Sequence, residues 1–413
     1  MNTPFLPELL APAGSMEKLE VALFYGADAV YLGGKSLNLR SAASGFSMPE
    51  LRIALEKAHA VGAKVYYCLN SIIHDDQIPE LEKTLEELSD IAVDGIIIAD
   101  PGVLSLTKRY IPNAEIHLST QANTVNRLSI AFWKEMGVHR VNTARELSVL
   151  ELNELRKHIC DVELEVFVHG AMCMAVSGQC SMSKWTNDRN ANLGECSQPC
   201  RFSYTSLDEP VEIPLYEQKR TKDGQAEPLW YITQQGDYSN ILASEDLCLI
   251  EYLPWFIKKK IDAIKIEGRM KSIGYLAYTV NAYRSALKHI LERTFTPHEY
   301  IAMLYNQASR PLSTGFFLPK GRLRLPNPNQ SKAKTIVARV EEKVGEGKYH
   351  VSIRKPWNAE EPIHFFYPQQ QSFTTPTYML EDDKGERRTK AHPGMHHILH
   401  CEHDIPVGIL IEQ

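Results

Sequence analysis

Short apolar runs alternate with amphipathic segments along most of the chain, and this alternation limits the fold more than any other feature. Apolar runs bounded by turn residues are typical of buried strands, and longer segments with a period of about 3.6 are typical of helices. The runs lie at Glu8–Pro12, Ala29–Gly33, Lys64–Leu69, Gly95–Ala99, Glu115–Ser119, His139–Thr143, Glu163–His169 and Ala263–Glu267. Eight strands alternating with helices predict an α/β fold of the (β/α)8 TIM-like barrel type, with a doubly wound open sheet as the alternative.

The distance between the seventh and eighth runs breaks this rhythm. About ninety residues separate His169 from Ala263, whereas a βα connection and its helix take about twenty. A helix over Asp246–Lys260 is predicted to fill one part of the gap, and a folded insertion at about 171–245 the other. In a barrel this insertion lies at the carboxyl-terminal face, where active sites are built.

Beyond the eighth run the pattern changes to one long amphipathic helix, Ser272–Arg293, and then to a proline-rich stretch followed by β-like runs. We therefore expect a barrel over 1–300, a linker over 301–330 and a small all-β C-terminal domain over 331–413. Six Lys or Arg and no acidic residue lie at 319–340. This stretch is interpreted either as a solvated linker or as a local basic patch that contacts RNA phosphates.

The composition is that of an ordinary globular protein. Of the 413 residues, 44% are hydrophobic and 23% are charged, and no run reaches the ~20 apolar residues of a membrane span. The first residues lack the pattern of a secretion signal, so we expect a cytoplasmic protein with no membrane partner. Because the formal net charge is −6, a nucleic acid would have to bind at a local basic patch.

Four cysteines crowd into the predicted insertion. Cys173 and Cys180 follow the seventh strand, and Cys196 and Cys200 follow a further sixteen residues along. Four thiolates suit an iron–sulfur cluster or a tetrahedral zinc ion. The wide spacing of the first pair favours the iron–sulfur cluster over zinc, and free thiols or a disulfide are the third interpretation. Cys248 lies in the same long segment and could replace one of the four.

Polar residues alternate along several of the predicted strands. Lys265 and Glu267 share a face of the eighth strand, with Arg269 just beyond it. His169 falls by the same count on the inward face of the seventh strand, and Gln121 follows the fifth. Such residues form either an internal ion-pair network that only holds the strands together, or a polar pocket for a small anionic or hydroxylated ligand.

The stretch EVFVHGAMCMAVSGQCSMS at 165–183 resembles the signature of peptidase family U32, the collagenase-like proteins. ELLAPAGSMEKLEVALFYGADAVYLGG near the start, LSTQANTVN at 118–126 and SEDLCLIEYLPWFIKKKIDAIKIEGRMKS at 244–272 are similar to the same family, and the resemblance covers about 7–300. It implies a barrel-like core with a cysteine-bound [4Fe–4S] cluster. It also implies oxygen-independent hydroxylation of a tRNA wobble uridine with prephenate, of a ribosomal-RNA cytidine, or of the ubiquinone ring.

The paired late cysteines of CSQPCRF resemble the tRNA-hydroxylation branch of this family. Both ligand sets that the resemblance implies contain Cys173, Cys180 and Cys196, and the fourth ligand is Cys200 or Cys248. The short loop from Cys196 favours Cys200. A predicted helix N-terminus at Cys248 would stabilise its thiolate and favours the other choice. We expect Cys200.

A carboxylate co-substrate such as prephenate would need cationic partners, and Arg pairs bidentately with carboxylates. The predicted catalytic residues are therefore Lys265, Glu267, Arg269 and His169. The predicted substrate-binding residues are Gln121, Asn123 and Arg269, and tRNA is the predicted partner.

Two other classes of function stay open. The label of the family implies a metal-dependent or cysteine-type collagenase-like peptidase, although no nucleophile–base pair can be picked out of the sequence. The third class is a non-catalytic protein whose cluster only scaffolds a partner complex.

Overall fold

The computed structural model describes residues 4–413 except 40–44, 174, 177–178, 202, 205–212, 217–227, 236–237, 241–244, 319–322, 328–333 and 370–371, with the backbone alone described within 201–244. Its first part contains seven strands, each paired in parallel with the next. They are β1 (Glu8–Pro12), β2 (Ala29–Gly33), β3 (Lys64–Leu69), β4 (Gly95–Ile98), β5 (Ile116–Leu118), β6 (Arg140–Asn142) and β7 (Glu163–Ala171).

A helix follows each of the first six strands and packs its apolar face on the sheet. Their starts are capped by short polar side chains, as in the capping box of Ser47 with Glu50 and the Asp100 cap. Such caps satisfy amide groups that the helix itself leaves unbonded. The helices are α1 (Met16–Phe24), α2 (Met48–Ala60), α3 (Ile78–Ser89), α4 (Pro101–Tyr110), α5 (Arg127–Glu135) and α6 (Val149–His158).

The insertion after β7 contains a short helix and an antiparallel sheet of four strands in the order β8-β11-β10-β9. Its elements are α7 (Met182–Asn187), β8 (Ser203–Tyr204), β9 (Ile213–Tyr216), β10 (Pro228–Gln235) and β11 (Tyr238–Asn240). It thus occupies the gap where the sequence predicted a folded insertion.

The prediction of a helix over Asp246–Lys260 is wrong at its start. Residues Asp246–Cys248 form β12, which pairs antiparallel with the end of β7, and helix α8 covers only Leu253–Lys258. The reason is tertiary. Strand β7 continues to Ala171, past its last pairing with β6 at Glu165, and its free edge binds the incoming chain.

Strand β13 (Ala263–Ile266) closes the barrel, because it pairs in parallel with both β1 and β7. The predicted (β/α)8 barrel is therefore confirmed, and the open sheet is excluded. Helix α9 (Ile273–Leu291) follows with Ser272 as its N-cap, and then α10 (Pro297–Tyr305). Strand β14 (Leu312–Ser313) pairs with β12, so part of the predicted 301–330 linker belongs structurally to the barrel.

The C-terminal domain is all β, as predicted, and has its own apolar core. Ion pairs and hydrogen bonds fasten it to α1, including Arg339 Nη2 to Glu20 Oε2 at 2.8 Å and the Tyr25 hydroxyl donating to the Phe366 carbonyl at 2.8 Å. Its strands are β15 (Ile336–Gly345), β16 (Lys348–Ile353), β17 (Trp357–Asn358), β18 (Ile363–Phe366), β19 (Phe373–Thr375), β20 (Met379–Glu381), β21 (Arg387–Arg388), β22 (Lys390–Ala391), β23 (His396–His400) and β24 (Leu410–Glu412). None of the helices in the described ranges has the length and hydropathy of a membrane span.

Candidate active site at the mouth of the barrel

An ion-pair network fills the middle of the barrel. Lys265 Nζ lies 2.7 Å from Glu165 Oε1, and both side chains are buried. Arg140 lies 2.5 Å from Glu8 and 3.7 Å from Glu165. Burial alone would raise the pKa of the Glu165 carboxyl, but Lys265 and Arg140 together hold it below its ordinary value. The contacts of Lys265 are thus those of a strand-holding ion pair, which is one of the two interpretations left open by the sequence.

Glu267 directly follows the last residue of β13, at the carboxyl-terminal mouth. Its Oε2 accepts from the Tyr31 hydroxyl at 3.3 Å, and Arg145 Nη2 lies 4.0 Å from it. The Arg145 guanidinium also stacks 4.0 Å above the Phe167 ring and donates to the Ala171 carbonyl at 3.3 Å. Arg145 was missed by the sequence reasoning. Its position just after β6 was the available signal, because residues after barrel strands build the active site.

Arg269 is held under the loop after β2. Its Nη2 donates to Asn38 Oδ1 at 2.9 Å, and the residue is 5% exposed. A Cβ at Gly33 would lie 2.9 Å from Nη1, so this position accepts only glycine without a shift of the guanidinium. Within the described residues, Arg269 has no carboxylate at ion-pair distance. A buried guanidinium in this state favours an anionic ligand.

Gln121, with Asn123 beside it, joins the barrel mouth to the cysteine-bearing insertion. Gln121 Nε2 donates to Asn192 Oδ1 at 3.2 Å, and the Ile72 amide donates to the Asn192 carbonyl at 3.4 Å. Asn123 adopts a left-handed backbone with φ 52° and donates to the Gln121 carbonyl at 3.3 Å. Two of the three predicted substrate-binding residues, Gln121 and Asn123, therefore lie at the mouth, where Gln121 holds the insertion.

The inward orientation predicted for His169 is wrong. The register of β7 with β13 shifts after Phe167, and the His169 ring lies 5.8 Å from that of Tyr275 and 5.6 Å from that of Tyr283, both on α9. Gly170 follows with φ 108°, and a Cβ there would lie 2.4 Å from the Glu267 carbonyl oxygen. The bulge thus turns His169 away from Lys265, and burial lowers its pKa to about 4.

Four of the five candidate ligand cysteines are partly exposed and lie in the insertion. They are Cys173, Cys180, Cys196 and Cys200. The Ser183 and Ser197 hydroxyls lie 3.0 Å apart, and the Ser197 amide donates to Ser183 Oγ at 3.0 Å. Because Ser183 follows Cys180 closely and Ser197 follows Cys196 directly, these bonds hold the two cysteine segments together.

Cys248 differs from the other four. It lies in β12 opposite His169, it is 1% exposed, and it forms part of the main apolar core. Burial raises the pKa of its thiol to about 12. The predicted helix N-terminus at Cys248 is wrong, because Cys248 ends strand β12 and therefore gains no stabilisation of a thiolate from a helix dipole.

The donor chemistry of the insertion suits a thiolate-bound cluster. Across the part of the chain that the structure describes, no three Cys, His, Asp or Glu side chains form a group arranged to hold a metal ion. Four partly exposed thiols on tethered segments at the active face of a barrel nevertheless match the ligand type and number of such a cluster.

The predicted basic patch at 319–340 lies partly outside the described residues, which omit 319–322 and 328–333. Its described cations have acidic partners. Arg324 lies 2.6 Å from Glu245, Lys334 lies 3.7 Å from Glu412, and Arg339 contacts Glu20. This described part therefore contributes ion pairs within the protein.

A closed (β/α)8 barrel with polar residues and an inserted cysteine module at its carboxyl-terminal mouth defines the chain as a TIM-barrel protein whose site is built at that face. The model of Peptidase family U32 matches residues 14–324. The chain belongs to this family.

Curated relatives include proteins named for RNA hydroxylation. "tRNA hydroxylation protein P1" of Bacillus subtilis (strain 168) is 36% identical over 395 residues, which cover 94% of this chain and 90% of that protein. "tRNA hydroxylation protein P" of Escherichia coli (strain K12) is 35% identical over 308 residues, with 68% of each chain covered. The "23S rRNA 5-hydroxycytidine C2501 synthase" of the same organism is 33% identical over 285 residues, covering 69% of this chain and 40% of that protein.

Proposed function

We propose that this protein hydroxylates C5 of a tRNA wobble uridine without molecular oxygen. The observation that carries the proposal is the similarity, over nearly the whole of both chains, to a protein named for tRNA hydroxylation. A related rRNA-modifying protein, also named for hydroxylation of a pyrimidine nucleoside, supports the same chemistry. The proposed tRNA substrate is the reason to expect activity in the cytoplasm.

A [4Fe–4S] cluster is the proposed cofactor, with zinc as the less favoured metal. Cys173, Cys180, Cys196 and Cys200 would hold it, since all four are partly exposed on segments that Ser183 and Ser197 tie together. Cys248 is the weaker fourth ligand, because its side chain is directed into the apolar core. When bound, the cluster would supply one-electron transfer.

Arg269 is proposed to bind the carboxylate of a small anionic co-substrate, for which the family resemblance suggests prephenate. The guanidinium is buried, and Asn38 is a neutral partner, so an incoming carboxylate would supply the charge that is missing. Arg145 offers a second guanidinium at the mouth beside Glu267. Glu267 would orient the ligand and limit the number of anions that the mouth accepts.

Nucleoside mass spectrometry of tRNA tests this function. A strain without the gene should lack 5-hydroxyuridine derivatives, and expression of the wild-type protein should restore them. Arg269→Ala should fail to restore them while the purified variant keeps the absorbance of the cluster. A deletion strain with unchanged wobble uridines would refute the proposal.

The peptidase and scaffold alternatives have different outcomes in the same experiments. Digestion of gelatin or casein by the purified protein, retained in Cys173→Ala, would support a peptidase that does not need the cluster. Loss of a partner complex with unchanged nucleosides and no proteolysis would support the scaffold function.

A further inference from the structure

Helix α7 of the insertion presents a large aromatic side chain to solvent. Trp185 is 86% exposed, the highest value among the large hydrophobic residues in the described ranges. A tryptophan usually buries ~150–250 Å² of surface, so an exposed ring beside a functional site is suited to a ligand that covers it. The helix begins two residues after Cys180, which places Trp185 close to the proposed cluster.

A cavity of about 380 Å³ opens beside this helix. Ser181 and Lys184 contribute to its wall. Trp185 lies outside the wall, one helical turn after Ser181 and next to Lys184. The volume falls within the ~300–1,000 Å³ of small-ligand pockets. Cys180 also lines this space, so a nucleobase bound there would lie beside the proposed cluster.

The cavity lies between the insertion and the barrel. Its barrel wall includes Ile72 and His74, and its insertion wall includes Asn192, the residue that Gln121 holds at the mouth. No acidic side chain occurs among the described residues that line it. Lys184 supplies a cation, which forms an ion pair with Asp188. Amide, imidazole and ammonium groups are suited to the edge of a base and to the phosphates that flank it.

We propose that Trp185 and this cavity form a platform for an unpaired RNA base next to the nucleotide that is modified. The proposal rests on the proposed function, which it deepens by assigning the contact to single-stranded RNA. Unpaired bases stack on exposed aromatic rings in many RNA-binding proteins. The tether between Gln121 and Asn192 would keep the platform at a fixed distance from the barrel mouth.

Binding of two labelled RNA hairpins to the full-length protein tests the platform. One fluorescein-labelled probe has a uridine-containing loop of about seven unpaired nucleotides, and the other is the same stem as a blunt duplex. Trp185→Ala should weaken binding of the looped probe about tenfold, or ~1.4 kcal/mol, and leave binding of the duplex unchanged. Trp185→Phe keeps a flat ring and should stay within about threefold of the wild type.

Phe132→Ala is the matched control, because Phe132 is an exposed aromatic residue on α5 at 53% exposure. It should bind both probes like the wild type. Equal affinities of Trp185→Ala and the wild type for the looped probe would overturn the platform, and so would an equal loss for the duplex or in Phe132→Ala. Quenching of Trp185 by a gelatin peptide, with no response to the looped probe, would also overturn it.

The tRNA nucleosides separate this failure from failure of the proposed function. If Trp185→Ala binds the looped probe normally while the deletion strain lacks hydroxylated uridine, the platform is wrong and the function stands. If Trp185→Ala loses affinity while the deletion strain keeps hydroxylated uridine, the contact between Trp185 and unpaired RNA stands, and the proposed function is wrong.

Discussion

Replacing Lys265 with methionine separates the structural from the catalytic interpretation of the barrel interior. Lys265 Nζ lies 2.7 Å from Glu165 Oε1, which corresponds to roughly 6 kcal/mol of Coulomb attraction at an effective dielectric of ~20. Desolvation of the ammonium offsets several kcal/mol of this. The variant leaves the Glu165 carboxylate to Arg140, whose Nη1 is 3.7 Å away. We therefore expect Lys265→Met to lower the free energy of unfolding by about 3 kcal/mol.

Urea unfolding followed by circular dichroism at pH 7 measures this loss. The double variant Glu165→Leu with Lys265→Met should lose less than Lys265→Met alone, because removing both members of a buried pair leaves no unpaired charge. Lys157→Met is the control, since Lys157 pairs with Glu154 on the exposed surface, and it should change stability by less than ~1 kcal/mol. A loss below ~1 kcal/mol for Lys265→Met would refute the reasoning, as would a double variant whose loss is the sum of the two single ones.

The pH dependence gives a second readout of the same pair. In the folded protein, the pKa of Glu165 lies below its ordinary value of 4.5 because Lys265 and Arg140 outweigh the opposing effect of burial. A carboxyl group of this kind stabilises the fold above the unfolded pKa, and this contribution is lost as the pH falls through the folded pKa. The difference in the free energy of unfolding between the wild type and Lys265→Met should therefore become smaller as the pH falls below 4.5.

Three other tests address the remaining site residues. Anaerobic reconstitution of Cys200→Ser should yield less iron per chain than that of Cys248→Ser, because the Cys248 side chain lies in the apolar core; the opposite order would show that Cys248 is the fourth ligand. Arg145→Ala should lower hydroxylation less than Arg269→Ala, since Arg145 is near the Glu267 carboxylate whereas Arg269 is buried beside a neutral amide; equal loss, by tRNA nucleoside analysis, would contradict this. Burial lowers the pKa of the folded His169 imidazole to about 4, so the unfolded chain takes up the proton first as the pH falls from 6.5. The wild type should therefore lose ~3 kcal/mol of unfolding free energy between pH 6.5 and 4, and His169→Gln should not show this loss. Two other charged groups face the ring: Asp246 raises this pKa and Lys271 lowers it. Urea midpoints measured across this pH range check the prediction, and an equal pH dependence in the wild type and His169→Gln would refute it.

The barrel could be predicted because its signal is local. Several strands are short runs whose residues are buried on both faces and are therefore apolar along their length, as in Gly95–Ile98. Helix α2 carries its own start signal in Ser47 and Glu50, three residues apart. Features of this kind depend only on residues that are close together in the chain, so they can be predicted from one sequence.

The orientation of His169 and the strand at Cys248 could not be predicted, because both depend on pairing between distant segments. The two-residue period places His169 inward only if β7 is regular, and the bulge follows from the close approach of Gly170 to Glu267. The segment at Cys248 has a helical pattern of its own, yet the free edge of β7 supplies hydrogen bonds that a strand can use. Local propensity gives way to tertiary pairing in such cases.

Lys265 and Arg269 have similar sequence signals but different partners in the folded protein. They lie four residues apart, they were predicted together as cations for one ligand, and both are buried. The neighbouring strand β7 gives Lys265 a carboxylate, Glu165, whereas the loop after β2 gives Arg269 only the amide of Asn38 among its described hydrogen-bond partners. A cation whose charge is already paired serves the fold, and a buried cation with a neutral partner can gain from an incoming anion. The residue proposed to bind a co-substrate is therefore distinguished by the carboxylate that its neighbouring elements do not provide, and this distinction can be seen only when those elements are in place.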